Sequence, residues 1–246
     1  MKTNTDFKND ALGALRGNWG KAVVATLLYA LVVVAVVTPM EYTSLKVQNY
    51  VMEQTGGYGY SNVVNSAASL MQDAEYNALQ KQSYTCSVFL FLLEVFLVFP
   101  LALGFYNAFR KLLVNQDTGL VRNTFDFSNY FHKVLGMLQM YILTVLWTLL
   151  LVIPGIIKAF AYAMTPYILE ENPELSTTEA IHRSRMMMKG HKFDLFWLYL
   201  SFIGWGILSV FTLFIGLLWL YPYMQTAVAS FYEEVKEQYA VNGGLD

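Results

Sequence analysis

From Leu195 to Tyr232 the sequence runs for 38 residues as one apolar block. A single membrane crossing takes about 20 such residues, so this block is too long for one and divides near Phe214-Ile215-Gly216. Four more apolar runs precede it. Ala22–Thr38 is uncharged, and its 17 residues are just enough to span about 30 Å of hydrocarbon at 1.5 Å per residue. Cys86–Phe109 contains one charge, Glu94, and one proline, Pro100. Val134–Ile153 is ended by Pro154-Gly155, where proline lacks a donor and glycine tolerates a turn. Ile156–Leu169 is short, carries Lys158, and needs flanking Tyr and Lys or local bilayer thinning to cross. The expectation is six spans. The first is read as retained rather than cleaved, because no small-x-small pattern follows it and Pro39 occupies the place of a cleavage site.

Only 14% of the 246 residues are charged, against roughly 25% in ordinary soluble domains. A net charge of -2 argues against a polyanionic partner, so no nucleic acid is expected. The single cysteine, Cys86, excludes an internal disulfide and a Cys-based zinc site, and reads as a small apolar residue near a helix start. His132, His182 and His191 show no metal spacing, and no phosphate loop, nucleophile elbow or paired acids appear. No cofactor is implied.

Lysine and arginine set the orientation. Lys2, Lys8, Arg16 and Lys21 precede the first span. Arg110, Lys111, Arg122 and Lys133 follow the second, and Arg183, Arg185, Lys189 and Lys192 follow the fourth. With Lys236 these make thirteen on one side, against Lys46, Lys81 and Lys158 on the other. Six spans with both termini in the cytoplasm sort all sixteen. The other face is then mainly an insertion over 39–85. Within it "EQTGGYGYSN" reads as a turn, and "SAASLMQDAEYNALQKQ" as a modest amphipathic helix with Ala67, Leu70, Met71, Ala74 and Ala78 near one face, or as an extension of the second span.

Three cytoplasmic stretches look alike: "TDFKNDALGALRGNWGKAV", "NTFDFSNYFHKVLG" and "STTEAIHRSRMMMKGHKFDLF". Each predicts a short helix capped by Thr5, Thr124 or Ser176, the last with Glu179 at capping-box spacing. Apolar stripes follow, Phe7, Ala11, Ala14 and Leu15 in the first and Ala180, Ile181, Ser184, Met187 and Met188 in the third, with cations opposite. Such helices lie at headgroup level, where each cation gains about 1 kcal/mol on anionic lipid. Gly17 and Gly190 end them. The lipid-contact residues expected are Arg16, Lys21, Lys133, Arg183, Arg185, Lys189 and Lys192. Phe193, Phe196 and Trp197 form an aromatic belt, and Asp194 opens a helix where the dipole favours an anion.

The spans repeat too. "IPGIIKAFAYAMTPY" and "FIGLLWLYPYMQTAV" match at an offset of 61, pairing Gly155 with Gly216, Tyr162 with Tyr223 and Thr165 with Thr226, and "FPLALGFYNAF" is a weaker third copy. The fold expected is all-α: a polytopic membrane bundle of about six transmembrane helices in three hairpin-like repeats (about 5–114, 121–170 and 174–235) within one integral membrane domain, 1–246.

"GNWGKAV", "LLLVIPGIIKAFAYAMTPYILEENPELS" and "RSRMMMKGHKFDLFWLYLSFIGWGILSVFTLFIGLLWLYPYMQTAVASFYEE" resemble the domain-of-unknown-function 975 family of bacterial integral membrane proteins. The resemblance covers nearly the whole chain apart from 39–85. It implies a multi-pass bacterial plasma or inner membrane protein, distantly akin to the membrane domain fused to glycerophosphodiester phosphodiesterases, and supplies no activity.

Glu94 is the sharpest chemical candidate. It sits about 12 Å into its span at helical rise, where an unpaired carboxylate costs a few kcal/mol at least. It reads either as a proton or cation site or as a structural partner of Lys158. Asn107, Gln139 and Gln225 suit interhelical hydrogen bonds, or with Tyr162, Tyr223 and Thr226 line a solute path. Pro100, Pro166 and Pro222 kink the returning spans, as in transporters and in many other membrane helices. Three functions remain. The best supported is a non-enzymatic protein that organises the bilayer, binds anionic lipid on its cytoplasmic side or serves as a partner subunit of another membrane protein. The others are a small-solute or ion transporter using Glu94, and a lipid-acting enzyme.

Overall fold

The computed structural model describes residues 1–55 and 73–243. Among them every regular element is helical. The helices are α1 (Asn4–Leu15), α2 (Trp19–Thr55), α3 (Ala74–Leu93), a π-turn (Glu94–Val98), α4 (Phe99–Asn115), α5 (Leu120–Thr124), α6 (Tyr130–Leu150), α7 (Val152–Tyr162), α8 (Thr165–Glu171), α9 (Thr177–Met187), α10 (Lys192–Leu200), α11 (Ile203–Phe211) and α12 (Leu217–Val241). The all-α reading holds. Five helical segments are long and apolar enough to cross a membrane: Trp19–Glu53, Ala74–Asn115, Tyr130–Leu150, Val152–Glu171 and Lys192–Phe211. The sixth expected span falls in α12, which is not among the five; its apolar part stops at Tyr232, and Glu233, Glu234, Lys236 and Glu237 follow.

The chain forms two compact units, one of Met1–Tyr29 with Phe99–Asp246, the other of Ala30–Val98. In the smaller unit α2 runs past Thr38, where the sequence had suggested that the span ends, and through Pro39 to Thr55. Proline is tolerated in membrane helices because neighbouring groups re-satisfy the freed carbonyl. On the other side α3 begins at Asp73, whose side chain accepts from the backbone N–H groups of Glu75 and Tyr76. The amphipathic segment is therefore, from Ala74 on, an extension of the second span. The expected turn beyond Thr55 and the face residues Ala67, Leu70 and Met71 lie outside the described residues.

The larger unit is built on α1, α4 and α12. Leu15, Ala22, Ala25, Phe105, Ala108, Phe109, Leu112 and Leu120 form one of its core clusters. The small residues let the helices approach, and Phe105 fills the centre, stacked between Tyr29 (4.5 Å) and Tyr221 (5.4 Å).

Two tight hairpins turn at positions 61 residues apart. Between α6 and α7 the chain turns at Leu151, which is extended (φ -158°, ψ 134°). The break thus comes three residues before Pro154, and Pro154 sits in the first turn of α7, where a missing N–H leaves no bond unmade. Gly155 then packs so closely on Thr148 that an added Cβ would lie 2.6 Å from the Thr148 Cα. Between α11 and α12, Gly216 packs in the same way on Ser209, 61 residues beyond Thr148. Thr148 and Ser209 each bond the carbonyl four residues back, Thr144 and Trp205. The copies differ further on. The helix through Tyr162 breaks before Thr165, whereas α12 runs unbroken past Tyr223 and Thr226.

Candidate functional site

The predicted surface helices turn their apolar stripes to protein. Phe7, Ala11 and Leu15 are buried, and the Phe7 ring meets Phe231 of α12 edge-on at 5.4 Å. Ala180, Ile181, Ser184, Met187 and Met188 are buried as well, and Ser184 donates to the Ala161 carbonyl at 2.9 Å. The cap of α1 is Thr3 with Asp6, not Thr5, while Ser176 with Glu179 forms the expected capping box. No helix begins at Thr124, which ends α5 and donates to the Leu120 carbonyl. The chain turns there on Asp126, whose carboxylate accepts from the Ser128 N–H, and α6 starts after Asn129 in a left-handed conformation. Gly17 (φ +79°) and Gly190 (φ +93°) do end the helices before them.

What the sequence did not single out is a hub where α4 and α12 meet the end of α8. Arg110, Glu171 and Tyr232 stand 61 residues apart, twice over. Arg110 Nη1 lies 2.8 Å from Glu171 Oε1 and 2.8 Å from Glu233 Oε1. Lys236 Nζ lies 2.7 Å from Glu171 and 2.9 Å from Glu233. The Tyr232 hydroxyl donates to Glu171, and its ring stacks on Tyr167 at 4.8 Å. Arg110 Nε donates to Asn107 Oδ1, and Asn107 Nδ2 donates to the Leu103 and Pro166 carbonyls.

A second layer joins α4, α6 and α8. Lys133 Nζ lies 2.8 Å from Glu170 and donates to the Asp126 carbonyl at 3.0 Å. Lys111 reaches Glu170 at 3.1 Å and Asp126 at 3.8 Å. The Ser128 N–H first, then the Lys133 and Lys111 charges, hold the Asp126 carboxyl below the usual carboxylate range. Four cations here face four carboxylates. Desolvated charges persist only when paired and hydrogen-bonded, and here each is. The arrangement ties α4, α6, α8 and α12 together.

Lys133, expected on lipid, is thus corrected to a buried ion-pair residue with 1% exposure; its helix turns it inward because Glu170 and the Asp126 carbonyl wait there. Arg16, Lys21, Arg185 and Lys189 are exposed and Arg183 and Lys192 half-buried, and among the described residues none forms an ion pair within 4 Å. Lys158 places its ammonium 4.4 Å over the Trp147 ring. Glu94, in the other unit, opens the π-turn.

The remaining polar candidates are brought to separate places. Gln139 bridges α6 to α9, donating to Thr178 at 3.0 Å and accepting from Thr177. Asn107 belongs to the hub. Tyr162 packs with Ala161 and Ile181, Tyr223 lies edge-on to Phe202 at 5.2 Å, Thr226 donates to the Pro222 carbonyl, and Gln225 is buried. Of the histidines, His191 lies 3.3 Å from Asp194. Among the described residues no His, Cys, Asp or Glu cluster is arranged to hold a metal.

No curated protein and no solved structure matches the chain. The family described as "Protein of unknown function (DUF975)" matches residues 1–239. With almost the whole length covered, from the first surface helix to the end of the hub, the chain belongs to that family.

Proposed function

We propose that the chain is a multi-pass protein of a bacterial plasma membrane, with both termini in the cytoplasm, whose work is non-enzymatic: it organises anionic lipid at the cytoplasmic surface or serves as a membrane partner subunit. Its three repeats form one integral membrane domain. The observation that carries this reading is the division of the cations. Arg110, Lys111, Lys133 and Lys236 are neutralised by the hub's own acids, whereas Arg16, Lys21, Arg185 and Lys189 are exposed, Arg183 and Lys192 half-buried, and among the described residues none of these six has an ion pair within 4 Å. A cation close to an anionic leaflet gains about 1 kcal/mol.

The test is native mass spectrometry of protein purified in mild detergent. Arg183→Gln, Arg185→Gln and Lys189→Gln together should shift the retained lipids from anionic toward zwitterionic. Unchanged retention refutes the lipid role.

A second reading, ion transport through Glu94, is favoured by the π-turn that begins at that carboxylate, since such bulges in helices often mark functional positions. Glu94→Gln should then abolish ion-dependent flux in liposomes while folding persists. Absence of flux in the parent protein removes this reading.

A further inference from the structure

One helical turn before the hub, the repeat-related positions hold Tyr106 on α4, Tyr167 on α8 and Val228 on α12, again 61 residues apart. Tyr167 is fully buried, and its hydroxyl has no hydrogen-bond partner within the protein. Its freedom to find one is small. The ring is stacked on Tyr232 at 4.8 Å, and the backbone before it is held from α4 by Asn107, whose Nδ2 donates to the Pro166 carbonyl at 3.2 Å. The phenols of Tyr106 and of Tyr199 on α10 lie within electrostatic reach of it and of each other. Tyr106 in turn shares a hydrogen bond with Tyr221, and Tyr221 with Tyr29. The span that holds Tyr167 is also broken, between Tyr162 and Thr165. On α12 the matching Thr226 donates to the carbonyl four residues back. The carbonyl four residues before Thr165, that of Ala161, accepts from Ser184 of α9 instead. Broken backbone at membrane depth persists where protein buries it or where it lines water.

We propose that one water molecule is held among the hydroxyls of Tyr106, Tyr167 and Tyr199, where it joins α10 to α4 and α8. Three phenols provide the roughly three hydrogen bonds that a buried water makes, and each hydroxyl can donate or accept. The guest is neutral, because the charges one turn further along these helices, Arg110 and Glu171, are already paired at 2.8 Å and leave none to oppose an ion. With it, a chain of hydroxyls runs from Tyr167 through Tyr106 and Tyr221 to Tyr29. Among the described residues no ion pair links α10 to the hub helices, so the water gives α10 a polar tie that the hub does not supply.

The experiment is brief X-ray radiolysis of the full chain in mild detergent, after transfer to isotopically labelled water, with oxidised peptides read by mass spectrometry. A water bound beside a buried ring releases hydroxyl radicals there. Tyr167 should therefore take up the labelled oxygen, while Phe231, buried as deeply against Phe7, should not. Tyr167→Phe should lower the labelling of Tyr106 and Tyr199. It should also lower the unfolding midpoint by about 2–4 °C, because the water loses a partner, whereas deleting a hydroxyl that bonds to nothing leaves the midpoint unchanged or raises it. Should Tyr167→Phe not fold, Tyr199→Phe in its place should reduce the labelling of Tyr167. An unlabelled Tyr167 in the parent protein overturns the proposal. So does labelling of Phe231 equal to that of Tyr167, labelling of Tyr167 that Tyr199→Phe leaves unchanged, or a midpoint in Tyr167→Phe no lower than the parent's. The lipid role above stands or falls separately.

Discussion

Replacing Arg110 with methionine tests the hub most directly. The side chain keeps its bulk but takes one positive charge from a site where Arg110, Glu171 and Glu233 are 10%, 21% and 25% exposed. These are low enough for little screening by water. Breaking a buried pair by removing one partner costs about 3–5 kcal/mol, because the other charge is left behind. Here the lower end is expected. Lys236 stays within 2.7 Å of Glu171 and 2.9 Å of Glu233, so each carboxylate keeps a cation but the two now share one. A loss of about 3 kcal/mol corresponds to a fall of roughly 6–12 °C in the unfolding midpoint of a chain this size. Arg110→Met with Glu233→Gln removes one charge of each sign and leaves Lys236, Glu171 and Tyr232 as a matched set. More than half the loss should return. The assay is thermal unfolding in mild detergent, read by the fraction that still elutes as a monodisperse peak. If the single variant lies within about 1 kcal/mol of the parent, or if the double variant is less stable than the single, the hub does not hold α4, α8 and α12 together.

Other consequences follow from the same geometry. Lys133→Met should destabilise by about 3 kcal/mol, because it leaves Glu170 with Lys111 alone and takes a donor from the Asp126 carbonyl, whereas the exposed Lys189→Gln should stay within about 0.5 kcal/mol of the parent in the same assay. Gly155→Ala should cost more than Gly216→Ala: the new methyl meets backbone at Thr148, but at Gly216 its nearest neighbours are the Ser209 and Thr212 hydroxyls, which can rotate away. Equal losses would contradict the turn geometry. The capping carboxyls of Asp6 and Glu179 are held below their usual range, first by the Thr3 and Ser176 hydroxyls and then by the same residues' backbone N–H groups. A depressed folded pKa stabilises above the unfolded value, near 4, and that stabilisation is lost as pH falls through the folded value. Protection against hydrogen exchange at the starts of α1 and α9, taken relative to the intrinsic rate at each pH, should therefore be steady from about pH 7 to 5 and fall below about 4, with Glu179→Gln removing the dependence at α9.

Much of this fold was legible because hydrophobic length and glycine position act locally. The apolar runs became helices, Gly17 and Gly190 took positive φ, and Ser176 met Glu179. Three features were less accessible, each for a physical reason. The first apolar run ends at Thr38, just before Pro39, but a helix continues through proline when its freed carbonyl finds another partner. The stripes on α1 and α9 looked suited to lipid, but periodicity reports only that a face is buried, and α12 and α7 cover these faces from far along the chain. The hub was invisible residue by residue, since Arg110, Glu171 and Tyr232 each resemble the ordinary polar end of a span. The signal lay in the offset of 61 already marked by Gly155 and Gly216: carried one repeat backward and forward from Glu171, it lands on Arg110 and Tyr232.

The cations serve at two stages, and the structure separates them. Orientation is set as spans enter the membrane, before tertiary pairs exist, so every Lys and Arg near a span end counts then. Once the chain has folded, Arg110, Lys111, Lys133 and Lys236 are neutralised in the hub, Lys2 and Arg122 have Asp10 and Asp117, and Lys8 has Phe202. Among the described residues, the cations of the proposed cytoplasmic face that remain for an outside partner lie in two places: Arg16 and Lys21 where α1 gives way to α2, and Arg183, Arg185, Lys189 and Lys192 where α9 gives way to α10. Both follow a surface helix whose apolar stripe is already buried in protein. Such a helix has no apolar side left to sink into lipid, so in the proposed orientation it holds its cations at a fixed height instead of diving with them. That height is set by packing against α12 and α7.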